Sequence, residues 1–548
     1  MTHTKNAKFR FLVLFSLVFI FGTSGIYLTR WTAKDDIIIV TAHGAAGQVS
    51  GSLFHIEYGS NSILVDIGLF YPDGEGTYEE RQLLAEKENR YLPVDARSVD
   101  AVILTHAHLD HIGRLPMLIR KGFSGRIFLT DATRNLLDIM LLSQIRYENN
   151  VRNWEYSVNS VREGSTGKFV TAHWNICQWQ SRISQRNKRT YRGTILNAEN
   201  RIGIQLSPCN VCAADALKIL YDRVIFVSLE YDELFSINRN VDIMLVDAGH
   251  IPGSASVLLR MNNDQNSSVR LLLSGDIGSS NSILQYGPEP VPPADHIWVE
   301  ATYGGAIRDF DLDSEIRKFQ EDIARVVSGG GLAWIPAFAL DRTQKVLYII
   351  EDGMEKGIIP SETRVMVPSP TANQFTRKYL QEFERPTNWF KSDIYERSRI
   401  FPKHGTRLVD EFDMPTILIT TSGMMDSAFS LGLIRDLLIR PTTTVFIVGY
   451  QDPDTPGGQL LSGSKIEWED MKIHVSANVE RYGFFSAHAD ARETVEWLSN
   501  QNRYETNIYL IHGDKSSLEA QRYYLEENDF LNVMIPARGE KIVIPVTR

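Results

Sequence analysis

The run His106-Ala107-His108-Leu109-Asp110-His111 places three histidines and an aspartate within six positions, directly after the apolar stretch Ala101 to Leu104. Imidazole nitrogen and carboxylate oxygen are the donors that zinc takes, and neutral histidine is its commonest nitrogen ligand. Alternation along an extended segment lets His106 and His108 point to one metal. Asp110 and His111, one turn further on, can then serve a second metal about 3.5–4 Å away. A lone histidine is usually an ordinary core or surface residue; this density at a strand end indicates a paired-metal site instead. Other donors stand in similar settings. Ile243 to Val246 runs into Asp247-Ala248-Gly249-His250, Leu271 to Leu273 into Ser274-Gly275-Asp276, and Asn507 to Ile511 into His512-Gly513-Asp514. Each sets a ligand type beside glycine, where no side chain blocks an ion. Singly, such residues are more often caps or turns; together they supply the rest of a site.

The elements that must position these donors are short apolar strands broken by glycine. Ile37 to Val40, Leu53 to Tyr58, Ile63 to Asp66, Ala101 to Leu104, Ile243 to Val246, Val257 to Arg260 and Leu271 to Leu273 read as strands. With helices interspersed and polar residues at the strand ends, they predict an α/β sandwich whose site lies on one edge. From about Asp295 the pattern becomes strand–helix alternation. Helices are predicted over Asp313 to Ser328, Asp341 to Gly353 and Asn373 to Phe383. Strands are predicted at Leu332 to Ile335, Arg364 to Val367, Thr416 to Thr420 and Thr444 to Val448. That alternation is the pattern of a parallel sheet. Histidine-bearing loops then return at Ser486 to Asp490 and Ile511 to Asp514, so a second domain nested inside the first explains the order best.

A chain of 548 residues can bury at least two cores. Its hydrophobic content of 43% and charged content of 23% are those of an ordinary globular protein. The formal net charge of -10 excludes a broadly basic nucleic-acid coat but leaves room for a local basic channel. Three cysteines in so long a chain exclude a disulfide scaffold. At the amino terminus Lys5, Lys8 and Arg10 precede an apolar stretch from Phe11 to about Leu28, with Trp31 beyond it. The stretch is near the length that spans hydrocarbon, and Ile26 to Leu28 continue it past the small residues Gly22 to Gly25. Residues 1–36 are therefore expected to form an uncleaved single-pass membrane anchor, ahead of a cleaved signal segment. The preceding basic residues favour an extracytoplasmic body, with a cytoplasmic-face or exported protein as the alternatives.

The segments Gly44 to Ser52, Asp66 to Gly68, Gly275-Asp276, Glu300 to Gly304 and Pro336 to Gln344 follow one another in a set order. Thr421 to Met425, Phe485 to Asp490 and His512-Gly513 complete the series. From Ile37 onward the chain resembles the metallo-β-lactamase fold superfamily. Within it the likeness is to the β-CASP nucleic-acid hydrolases, which include the cleavage-and-polyadenylation endonuclease and ribonuclease J. The resemblance implies an α/β fold: a metallo-β-lactamase αββα sandwich over residues 37–295, an inserted β-CASP parallel α/β domain over 296–455, and a completing segment over 456–548. It implies one zinc held by His106, His108, His250 and Asp276. A second would be held by Asp110, His111, His512 and the shared Asp276, with Asp66 orienting a ligand or the nucleophile. His488 matches the general acid toward the leaving oxygen, and Glu300 the carboxylate that pairs with it. The implied reaction is two-metal activation of water against a phosphodiester, with nucleic acid, RNA foremost, as partner. Endonuclease and exonuclease modes and a homodimer stay open. The loops Ser422-Gly423 and Ser486-Ala487 suit phosphate binding through backbone N–H groups, or are simply tight turns between domains. The competing readings are a hydrolase of an ester or lactone on the same fold, and a non-catalytic nucleic-acid scaffold, which should have lost ligands.

Three features depart from the family pattern. Residues 147–214 are longer than the usual spacing and hold His173, Cys177, Cys209 and Cys212, whose types and local spacing would suit one further, structural zinc. The same segment carries Arg182, Arg186, Lys188, Arg189 and Arg192 with Trp174, Trp179 and Tyr191, a mixture suited to single-stranded nucleic acid, to a solvated loop or to a membrane surface. In addition, Asp341 stands where glycine is common before Arg-Thr-Gln, and Gly457-Gly458 lacks the arginine that often follows glycine.

Overall fold

A computed structural model describes residues 37–145, 217–263, 267–382 and 415–546, apart from positions 219, 464, 469 and 470. Two seven-stranded sheets face each other. The first runs in the spatial order Lys541–Pro545, Ile37–Ala42, Phe54–Tyr58, Asn61–Val65, Ala101–Ile103, Arg126–Leu129, Ile225–Ser228. Its first three pairings are antiparallel and its last three parallel. The second runs Val533–Met534, Asn507–Ile511, His296–Glu300, Ser268–Leu273, Ala255–Asn262, Val241–Asp247, Phe235–Asn238.

Period-two patterning builds the layers. Ile63 and Val65 join a core shared with Leu271 and Leu273 of the facing sheet, while Leu64 and Leu272 point the other way. On the outer face of the first sheet Leu64 and Val102 pack with Ile112, Leu115 and Leu118. On the outer face of the second, Leu272 and Leu510 pack with Trp497, Leu518 and Leu525. The result is helix, sheet, sheet, helix, because each strand buries one face against the other sheet and one against helices.

A third sheet of five strands, all parallel, runs Arg364–Met366, Thr416–Thr420, Leu332–Pro336, Thr443–Ile447, Asn478–Arg481. Its three central strands are buried on both faces, as in Leu332–Pro336, where every residue is buried. Helices Leu312–Ser328, Arg342–Glu355, Pro370–Glu382 and Ala428–Leu437 connect them. The strand Asn478–Arg481 pairs with Thr443–Ile447, so the chain is still in this sheet well past the position, 456, where the sandwich was expected to resume.

The predicted anchor over residues 1–36 lies outside the described residues, as do His173, Cys177, Cys209 and Cys212 with the rest of 147–214. The expectation of a membrane-anchored protein is corrected: among the described residues no helix is long and apolar enough to cross a membrane. The physical reason is patterning, since strands such as Phe54–Tyr58 alternate buried and partly exposed residues and the helices are amphipathic.

Candidate metal centre

The donor residues all sit at the carboxyl ends of sandwich strands, along one edge. Asp66 follows Asn61–Val65, His106 to His111 follow Ala101–Ile103, and His250 follows Val241–Asp247. Asp276 follows Ser268–Leu273, Glu300 ends His296–Glu300, and His512 follows Asn507–Ile511. Close backbone packing makes this edge possible. A β-carbon on Gly68 would lie 1.4 Å from the Asp110 carbonyl oxygen. Asp66 and His512 themselves adopt left-handed backbone, with φ of 61° and 51°, a conformation that tertiary contacts must hold.

Two donor sets form around one carboxylate. His106 Nε2 lies 3.0 Å from His108 Nδ1, which lies 3.2 Å from His250 Nε2. Asp276 Oδ2 closes this set at 3.4 Å from His106 and 3.5 Å from His250. The other oxygen, Asp276 Oδ1, faces His111 Nε2 at 3.1 Å and His512 Nε2 at 3.5 Å. Those two nitrogens are 3.2 Å apart, and Asp110 Oδ2 is 3.6 Å from His512 Nε2 and 3.9 Å from His111 Nε2. Tetrahedral coordination at 2.0–2.1 Å puts neighbouring donors about 3.3 Å apart, so the spacing suits zinc. Asp276 Oδ1 is buried and makes no hydrogen bond. Ring nitrogens that converge on one another at 3.0–3.2 Å around such an oxygen fit a cation. Burial pushes His106 and His250 well below the ordinary histidine range, which keeps their lone pairs available. At His111 burial opposes charge, but the carboxylates of Asp276 and Asp66 outweigh it and raise the pKa.

Surrounding groups hold the candidate ligands in place. Asp66 Oδ2 lies 2.7 Å from His111 Nδ1, accepts from the Ser52 hydroxyl at 3.1 Å, and its Oδ1 accepts from the Thr105 N–H at 2.9 Å. Thr105 Oγ1 lies 3.1 Å from His106 Nδ1. Thr302 Oγ1 lies 3.1 Å from His512 Nδ1, and the Ala487 carbonyl 3.4 Å from His250 Nδ1. A carboxylate or oxygen on the far ring nitrogen fixes tautomer and orientation. Ser52, Thr105 and Thr302 were missed in the sequence; they stand in or beside the motif segments, but their partners are distant in the chain.

His488 lies beside this edge, 20% exposed at the side chain, with Nδ1 2.9 Å from Glu300 Oε1. Its ring is 4.5 Å from that of His250. Burial opposes charging of His488, but the Glu300 carboxylate outweighs it and raises the pKa above the ordinary range. Glu300 is held in turn by the N–H groups of Ile277 and Thr302 at 2.8 and 3.1 Å. Arg308, also missed, donates from Nη2 to the His488 carbonyl at 2.5 Å, and its N–H reaches Asp490 at 2.8 Å.

The remaining predicted residues are less open. The Ser422 hydroxyl donates to Asp426, and the Gly423 carbonyl accepts from Gln451 at 2.8 Å. Ser486 Oγ accepts from the His488 N–H at 3.4 Å, and the Ala487 carbonyl accepts from the Ser279 N–H at 3.1 Å. Asp514 is the N-cap of Lys515–Glu527, and Asp247 accepts from the Gly249 N–H. Asp341, in the place of the usual glycine, takes φ of 66°, and its carboxylate lies 2.7 Å from Lys345 Nζ.

Family models match in the same order as these elements: the metallo-beta-lactamase superfamily over residues 46–127, the Beta-Casp domain over 343–460, and the Zn-dependent metallo-hydrolase RNA specificity domain over 472–536. Ribonuclease TTHA0252 of Thermus thermophilus is 26% identical, covering 92% of this chain and 97% of that protein. Probable RNase MJ4 of Methanocaldococcus jannaschii is 27% identical, covering 91% of this chain and 99% of that protein. Transcription termination factor FttA of Methanosarcina mazei is 25% identical, covering 89% of this chain and 68% of that protein. With its sandwich, inserted parallel sheet and histidine–aspartate edge, the chain is similar along its length to the β-CASP group of the metallo-β-lactamase superfamily.

Proposed function

We propose that this protein is a zinc-dependent ribonuclease that hydrolyses phosphodiester bonds with two metal ions and a histidine general acid. The observation that carries the reading is Asp276, whose two oxygens each close a separate donor set, beside the Glu300–His488 pair. His106, His108, His250 and Asp276 would hold one ion, and Asp110, His111, His512 and Asp276 the other. Two ions held there supply an activated water and a counter-charge for the phosphate oxygens. Asp66 and Thr302 keep the far nitrogens of His111 and His512 engaged, so their Nε2 atoms stay aimed at the site. Glu300 holds His488 through Nδ1, leaving Nε2 to pass a proton to the oxygen that departs when the P–O bond breaks. The names of the matched ribonucleases support RNA as substrate. An ester or lactone hydrolase on the same sandwich would leave the inserted domain and the Glu300–His488 pair without a role.

The test is the full chain, loaded with zinc, incubated with labelled RNA and labelled DNA. RNA cleavage is expected; intact metal content with neither substrate cut would sink the reading. His488→Ala should retain its zinc and lose about 10²- to 10⁴-fold in turnover. Loss of metal in that variant would mean that His488 is a ligand instead.

A further inference from the structure

Arg342 opens the helix Arg342–Glu355 just beyond the carboxyl end of strand Leu332–Pro336. Its Nη1 donates to the Val448 carbonyl, while its Nε is buried with no hydrogen-bond partner. The neighbouring carboxylate, Asp341, is engaged elsewhere, with Lys345 Nζ at 2.7 Å and the Tyr379 hydroxyl at 3.3 Å. Among the described residues no carboxylate forms an ion pair with Arg342. Enclosing a guanidinium without an anion is costly unless an anion arrives. Burial lowers the Arg342 pKa; the charge of nearby Asp341 and Tyr303 opposes this without cancelling it, and Arg308 adds to it. Anchored through Nη1, the guanidinium keeps its Nε–Nη2 edge, the side that grips phosphate with two parallel hydrogen bonds.

Phe338 stands four residues upstream and is 40% exposed. A β-carbon on Gly423 would lie 3.1 Å from its ring, and one on Gly449 would lie 3.6 Å from the ring and 3.4 Å from Arg342 Nη1. Ring, guanidinium and two side-chain-free loops thus meet at the carboxyl edge of strands Leu332–Pro336, Thr416–Thr420 and Thr443–Ile447. That edge is where parallel α/β sheets take ligands. It is continuous with the metal centre. Arg342 interacts electrostatically with Tyr303 and Arg308; the Tyr303 ring is 6.1 Å from His488, and Arg308 holds the His488 carbonyl.

We propose that Arg342 and Phe338 form a nucleotide subsite of the inserted domain, in which the guanidinium grips a phosphate next to the scissile one and the ring stacks an unpaired base. This rests on the ribonuclease reading and sharpens it: the subsite takes one unpaired base beside the scissile bond and is tolerant of its identity, because every base has a face to stack. Asp341 and Lys345 are positioning residues, which set the backbone from which Arg342 departs.

The experiment compares zinc-loaded full-length wild type, Phe338→Ala and Arg342→Gln on single-stranded RNA and on bis(4-nitrophenyl) phosphate, a diester with no neighbouring nucleotide. Zinc content and turnover of the small diester are expected to stay within about twofold, while KM for RNA rises about tenfold in each variant. The dependence of log KM on log salt should become shallower by about 0.7 in Arg342→Gln alone, the share of one phosphate contact. An abasic nucleotide beside the scissile bond should raise KM for wild type and leave Phe338→Ala unmoved. Unchanged KM for RNA in both variants overturns the subsite while the ribonuclease reading stands. Equal loss on both substrates overturns it too, by assigning these residues to the fold. A wild type that cleaves the small diester and no RNA removes both readings together.

Discussion

In the proposed mechanism Glu300 is the residue that separates a phosphodiesterase site from a bare metal site. Its carboxylate raises the His488 pKa against the effect of burial. If His488 acts as the acid, activity is present while it is protonated and falls as pH rises through its pKa. Glu300→Gln keeps an oxygen for the Ile277 N–H but removes the charge. The alkaline limb of kcat against pH should therefore move to lower pH, with zinc content unchanged. A limb that stays in place would show that the limb reports another group. The residue types at this site were legible in the sequence, because His106 to His111 and the strand-end donors carry their chemistry locally. Their orienting partners were not. Thr302 meets His512 across 210 positions, and nothing near either residue marks the contact.

At the scale of elements, the site depends on how tightly strand ends pack. The Ser52 N–H donates to the Asp110 carbonyl at 2.9 Å, and Gly68 lies directly against that same carbonyl. Gly68→Ala should drive the loop carrying Asp110 and His111 away from Asp66. About 3 kcal/mol of stability should be lost, since overpacking a close contact costs that much, and zinc occupancy should fall with it. Thermal unfolding and metal analysis check this; an unchanged midpoint with full zinc would refute the packing argument. Strand positions were largely legible from period-two and buried-run patterns. The helix Tyr78–Asn89 was not, despite its Thr77–Glu80 capping box, because its face is mostly polar and exposed.

At the scale of the whole molecule, that same helix ties the sandwich to the inserted domain. Arg81 is buried and reaches Asp452 at 2.6 and 3.1 Å and Asp454 at 2.6 Å. Tyr78 packs edge-on against Trp468, with ring centroids 5.1 Å apart. Removing the arginine leaves Asp452 buried without its partner. Arg81→Ala should cost about 3 kcal/mol and speed amide exchange in the segment 449–462 more than in the sandwich. Exchange that rises evenly over both domains would show that the contact is not a local tie. Breaking it should also weaken RNA cleavage more than hydrolysis of a small diester, since the proposed metal ligands all lie on the sandwich side.

The sequence by itself determined the donor types, the strands that present them, and the nested order of the domains. These follow from local spacing and periodicity, which the covalent chain carries directly. The same local hydropathy led to a membrane expectation for residues 1–36 that no described helix supports. Only the tertiary structure decided that Asp276 faces both donor sets, that His111 and His512 come within 3.2 Å across 401 positions, and that Arg308 props His488. It also decided that Arg342 ends with a buried, unpartnered Nε on a side chain that lies near Phe338. Such contacts depend on the packing of sheets from distant segments, and a residue's neighbours in the chain do not encode which remote surface will meet it.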